Sequence, residues 1–169
     1  FPWRSAYQLT NAAGASAKAA LPPGETVLMT AVRGGNAAVV KRLLVAGADA
    51  NAAQKSKGQT ALMWAATARN VDVAKALIEG GASVGTTTAN GFTALLFAAK
   101  EGSIEMVRLL LASGAKLDEQ AKDGSTPILA ATVRGHADLA MFLLDQGAKP
   151  DGALAVAGHL CANREGRAP

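Results

Sequence analysis

Four stretches of this chain carry the same pattern, and that repetition constrains its fold more than any local propensity does. Aligned on a leading glycine they read GETVLMTAVRGGNAAVVKRLLVAGA (Gly24–Ala48), GQTALMWAATARNVDVAKALIEGGA (Gly58–Ala82), GFTALLFAAKEGSIEMVRLLLASGA (Gly91–Ala115) and GSTPILAATVRGHADLAMFLLDQGA (Gly124–Ala148). The lead glycines Gly24, Gly58, Gly91 and Gly124 are spaced by 34, 33 and 33 residues. A period of that size is the mark of a stacked array, in which each copy is one supersecondary unit. One such unit cannot bury its own apolar face, whereas stacked neighbours share a continuous core.

Each copy reads as a pair of helices. Thr26, Thr60, Thr93 and Thr126 stand where an N-cap belongs, with a hydroxyl able to accept a bond from an orphan backbone N–H. Pro127 follows at the first helical position, where a missing N–H costs nothing. The spacing predicts first helices near Val27–Gly34, Ala61–Ala68, Ala94–Glu101 and Pro127–Arg134. Small residues on them, such as Ala65, Ala66, Ala98 and Ala99, allow close approach of a neighbouring helix. After a break at Gly34-Gly35, Arg69-Asn70, Gly102 or Gly135, second helices are predicted near Ala38–Ala46, Val71–Glu79, Ile104–Ala112 and Ala137–Asp145. Gly47, Gly81, Gly114 and Gly147 end them as left-handed residues. Arg69 in place of the usual glycine predicts a less relaxed turn in the second copy.

This wording resembles the ankyrin repeat, whose unit runs roughly G-x-T-P-L-H-x-A-A, then G-H, then V-V-x-x-L-L-x-x-G-A-D-x-N. The resemblance covers about residues 21 to 153 and implies an all-α, ankyrin-type helical repeat solenoid with β-hairpin-like loops, four full repeats and terminal caps. The repeats fall at about 21–53, 55–87, 88–120 and 121–153, within a domain of residues 22–153. Residues 1–21 are then an N-terminal extension or cap, and 154–169 a degenerate C-terminal cap and tail. Only Pro127 keeps the family's proline. Its histidine is replaced throughout by Met29, Met63, Leu96 and Leu129, which implies that more of the cohesion between repeats is apolar. His136 fills the G-H position, where a helix-capping role is expected, and D-x-N survives best as Asp49-Ala50-Asn51.

Outside the repeats, Ser16–Leu21 is read as a capping helix ending at Pro22-Pro23, with Trp3 and Tyr7 set against a surface. LAVAGHLCAN, from Leu154, is read as a fifth, degenerate helix. The chain starts at Phe1, which reads as a trimmed chain or a mature product. Similar bacterial ankyrin proteins often carry export signals, so an extracytoplasmic bacterial origin is the expectation.

Composition excludes some function classes. Seventeen basic against thirteen acidic residues give a net charge of +4 with no block of like charge. Nucleic-acid readers concentrate basic residues on one face with groove-reading or aromatic elements, a pattern this chain does not show, so no nucleic-acid partner is expected. No run approaches the roughly 20 apolar residues of a membrane span. Cys161 is the single cysteine, so no internal disulfide forms. The carboxylates Asp49, Asp72, Glu105, Asp118, Asp138 and Asp151 recur with the repeat, which spreads them, whereas paired acid and base groups need mutual reach. His159 lies two residues from Cys161 and far from His136, and zinc sites want three or four clustered ligands. Neither a catalytic set nor a metal or cofactor is expected.

What remains is a surface. The resemblance implies a contact strip formed by residues flanking each lead glycine and by the outer positions of each first helix. The candidate partner-binding set on it is Lys57, Gln59, Trp64, Asn90, Phe92, Phe97, Lys100, Asp123 and Arg134. Glu25, Arg33, Thr67, Glu101, Ser125 and Val133 occupy further strip positions. Phe92 stands out, because Glu25, Gln59 and Ser125 are polar at the same place. Trp64 and Phe97 suit gap-filling between repeats equally well. Two functions follow: a non-catalytic module binding a protein partner, or a structural subunit assembling with its own copies through Trp3, Tyr7 and Leu154–Cys161.

Overall fold

A computed structural model describes residues 20–21 and 25–150. Among them, eight helices form four antiparallel pairs: α1 (Val27–Arg33) with α2 (Ala37–Val45), α3 (Ala61–Thr67) with α4 (Val71–Glu79), α5 (Ala94–Glu101) with α6 (Ile104–Ala112), and α7 (Pro127–Val133) with α8 (Ala137–Asp145). Each boundary lies within one residue of its prediction. Gly34, Ala46, Ala68 and Arg134, read as last helical residues, are the C-caps, and α2 starts at Ala37.

The caps explain that agreement. The hydroxyls of Thr26, Thr93 and Thr126 accept from the N–H groups of Met29, Leu96 and Leu129 at 3.2, 3.3 and 3.3 Å. Thr60 has the same extended backbone, and its own N–H reaches Met63 Sδ at 3.5 Å. At the other end of the unit, Gly47, Gly81, Gly114 and Gly147 have φ of 87°, 90°, 92° and 91°. After α2, the Gly47 and Ala48 N–H groups close onto the Leu44 and Leu43 carbonyls, both at 3.0 Å, a Schellman stop.

The units stack through two layers. α1, α3, α5 and α7 pack side by side, and α2, α4 and α6 form a second row behind them. Ala65, Ala66, Ala98, Ala99 and Ala131 are fully buried in the first row, as close stacking requires. A single core runs from Val27 to Ala148. Met29, Met63 and Leu96, which stand where the family has histidine, are buried, while Leu129 in the last described repeat is half-buried. The apolar cohesion implied by those substitutions is therefore present.

Polar ties between repeats exist as well, at other positions. Asn70 Nδ2 donates to the Gly35 carbonyl at 3.1 Å. Asn51 bridges to the next repeat twice, donating to the Gly81 carbonyl at 3.0 Å and accepting from the Ser83 N–H at 2.7 Å. His136 corrects an expectation. It stands at the N-cap of α8 but makes no side-chain cap bond. Its Nε2 instead lies 3.0 Å from the Lys100 carbonyl oxygen of the preceding repeat. A carbonyl only accepts, so this nitrogen carries the proton.

Hairpins join the pairs. Gln54 N–H bonds the Gln59 carbonyl, Thr88 the Phe92 carbonyl and Ala121 the Ser125 carbonyl, at 2.8, 2.9 and 3.0 Å. Before α1 the hairpin is a short antiparallel pair, β1 (Ala20–Leu21) with β2 (Glu25–Thr26). This overturns the expected capping helix at its C-terminal end. Leu21 precedes Pro22, and a residue before proline is driven toward extended backbone. Ser16 to Ala19, with Trp3, Tyr7 and Leu154–Cys161, lie outside the described residues.

The turn at Arg69 is strained as predicted. Arg69 has φ of 56°, the one non-glycine residue in the left-handed region among those described. That conformation costs an L-residue roughly 1–2 kcal/mol, part of which glycine regains. Arg69→Gly is expected to raise the unfolding free energy by about 1 kcal/mol, read by urea denaturation. Unchanged or lower stability contradicts this account.

Candidate partner-binding surface

The hairpins and first-row helices carry Trp64, Phe92 and Phe97, while Phe142 lies on α8 under the Arg108 guanidinium of α6. α3 presents Trp64 half-exposed, and Trp64 Nε1–H donates to Gln59 Oε1 at 3.3 Å. The guanidinium of Arg33, at the end of α1 one repeat earlier, lies 4.8 Å from the centre of the Trp64 ring. Arg33 Nη2 also donates to both carboxylate oxygens of Glu25 at 2.9 Å. A ring face and a carboxylate thus hold the cation from two sides, each exposed contact contributing about 1 kcal/mol or less. Arg33, Gln59, Trp64, Thr67 and Ala68 border an open groove of about 370 Å3.

The third repeat supplies a second group. Phe92 and Phe97 have ring centres 5.8 Å apart at 43°, and Lys100 Nζ lies 5.2 Å from the Phe92 ring centre. All three are half-buried, Phe92 and Phe97 against the shared core. Phe92 is held by its hairpin: its N–H donates to Thr88 Oγ1 at 3.0 Å, and its carbonyl accepts from Thr88 N–H at 2.9 Å. The backbone that carries the ring is therefore preset by the hairpin.

The remaining candidates are peripheral. Lys57, Asn90 and Asp123 lie exposed at three successive hairpin tips. The Asn90 carbonyl accepts from Lys122 N–H at 3.0 Å, which links the second and third of these hairpins. Asp123 Oδ1 accepts from Ser125 N–H at 3.0 Å. That bond, with the Ser125 hydroxyl and the nearby Lys100 charge, holds the Asp123 carboxyl below the usual carboxylate range. Arg134 is the exposed C-cap of α7 and joins neither aromatic group.

The structure thus brings together Gln59 with Trp64, and Phe92 with Phe97 and Lys100. Arg33 and Glu25 complete the first group, although composition does not single them out. Their signal was positional: Arg33 and Trp64 belong to consecutive repeats, so stacking makes them neighbours. Among the described residues, no three His, Cys, Asp or Glu side chains gather as a metal site. None of the described helices is long and apolar enough to cross a membrane.

Stacked helix pairs, apolar ladders between them and hairpins along one edge define a helical repeat solenoid. A family model described as "Ankyrin repeats (3 copies)" matches residues 5–88 and 80–153. The chain belongs to the ankyrin repeat family, whose members are generally non-catalytic protein-interaction modules. The first match begins at residue 5 and so takes in most of the stretch read above as an extension. Comparison with curated proteins gives no match.

Proposed function

We propose that this chain is a non-catalytic module that binds a protein partner through its hairpin tips and the concave face of its first-row helices. The observation that supports this most is the aromatic strip of Trp64, Phe92 and Phe97. All three rings are half-exposed: Gln59 and Arg33 hold Trp64, the hairpin holds the Phe92 backbone with Lys100 over its ring, and Phe97 packs on Phe92. Rigid aromatic anchors with a charged rim are where binding energy concentrates, and a preset surface avoids the cost of ordering on association. The exposed tips Lys57, Asn90 and Asp123 supply that rim.

Alanine substitution tests the assignment. Phe92→Ala is expected to weaken partner binding by about 2 kcal/mol, and Lys57→Ala by less than about 1 kcal/mol, with helical circular dichroism unchanged. Partner capture followed by quantitative cross-linking reads both. Full binding by a folded Phe92→Ala variant removes this face from consideration.

A further inference from the structure

We infer that the occupant of this strip is an extended acidic segment of a partner protein, with an apolar side chain between two carboxylates. This rests on the strip being a protein-binding surface and specifies what that surface selects. Arg33 uses only Nη2 on Glu25; among the described residues its Nε and Nη1 donors make no hydrogen bond. Its side chain is 61% exposed, while the Glu25 carboxylate that anchors it is 17% exposed. The cation is therefore fixed in place, with Nε–H and Nη1–H still able to donate single charge-assisted bonds to a partner carboxylate.

Lys100 offers a second stacked cation. Its ammonium lies over the Phe92 ring with the Asp123 carboxyl nearby, although among the described residues no carboxylate oxygen comes within ion-pair distance of it. Trp64 stands on α3, which packs between α1 and α5, and the groove it borders with Thr67 and Ala68 is open to solvent; Phe97 shares α5 with Lys100. The order along the strip is cation, apolar floor, cation. Adjacent packed helices sit roughly 8–10 Å apart, so Arg33 on α1 and Lys100 on α5 are separated by about 16–20 Å. An extended chain covers that distance in about five or six residues. The complement is an extended peptide with acidic residues at about that separation and, between them at an even offset, a leucine or aromatic residue on the same face.

The probe is an extended synthetic peptide of about twelve residues, with two glutamates about six residues apart and one leucine between them at an even offset from both, so that all three side chains face the strip. Controls replace both glutamates by glutamine or by lysine. Titration calorimetry is expected to show the glutamate peptide binding about tenfold tighter than the glutamine peptide. Arg33→Met and Lys100→Met should each cut that advantage about threefold, and the double variant or raising salt from about 0.05 to 0.5 M should remove most of it. Equal affinity of glutamate and glutamine peptides overturns the inference, and so does the absence of binding by all three. An oligothymidylate that displaces the glutamate peptide equally well also overturns it, since the strip would then read only negative charge. Glutamine-peptide binding that is lost in Trp64→Ala leaves the module reading standing while this inference fails.

Discussion

Leu96→Ala lowers the unfolding free energy by about 3 kcal/mol, whereas Leu129→Ala, at the same place one repeat later, costs about 1 kcal/mol. Leu96 is fully buried on α5, which packs against α3 on one side and α7 on the other. Removing its three distal carbons forfeits their transfer free energy and leaves a cavity walled by helices already in close contact. The alanine-lined seam leaves those helices little scope to collapse further. Leu129 is only half-buried, so truncation there removes less covered surface. In a stacked array the middle units carry two interfaces, so the central loss is felt through both neighbours. Urea denaturation of the two variants measures the contrast. Similar losses at the two positions would mean that the core is not the continuous ladder that burial indicates.

The helices were legible because their ends are written in residue types. A threonine cap and a glycine stop specify a boundary locally, and the predicted limits therefore fall within a residue of the observed ones. Stacking was legible from the period. The strip was legible only as register: the repeat sets Gln59 beside Trp64, and Phe92 beside Phe97 and Lys100, as two local groups. Pairing across the repeat boundary was not, because Arg33 and Trp64 are 31 positions apart and meet only once two units dock. The same holds for His136, whose hydrogen-bond partner lies in the preceding repeat. At Ala20–Leu21 the error was one of weighting. An alanine-rich run favours helix, but the proline after Leu21 and the available partner strand favour extended backbone.

Gly102→Ala is the sharper test of how repeats three and four are joined, with an expected cost of about 3 kcal/mol. Two effects combine. Gly102 has φ of 73°, where a Cβ costs roughly 1–2 kcal/mol. An added Cβ would also lie 2.5 Å from His136 Nδ1 and 2.7 Å from Cγ and Cε1. The imidazole cannot swing aside freely, because its Nε2–H is bound to the Lys100 carbonyl on the same turn. Relief of the clash therefore requires loss of that tie, which contributes about 1 kcal/mol. Gly114→Ala isolates the backbone share: its φ is 92°, yet an added Cβ meets nothing within 4 Å, so about 1–2 kcal/mol is expected. Combining Gly102→Ala with His136→Ala separates the remainder. The double variant should cost less than the sum of the singles by about 1 kcal/mol, because the ring that clashes is gone. Strict additivity would mean that ring and glycine do not meet, and the observed geometry of the third and fourth repeats would be wrong at that seam.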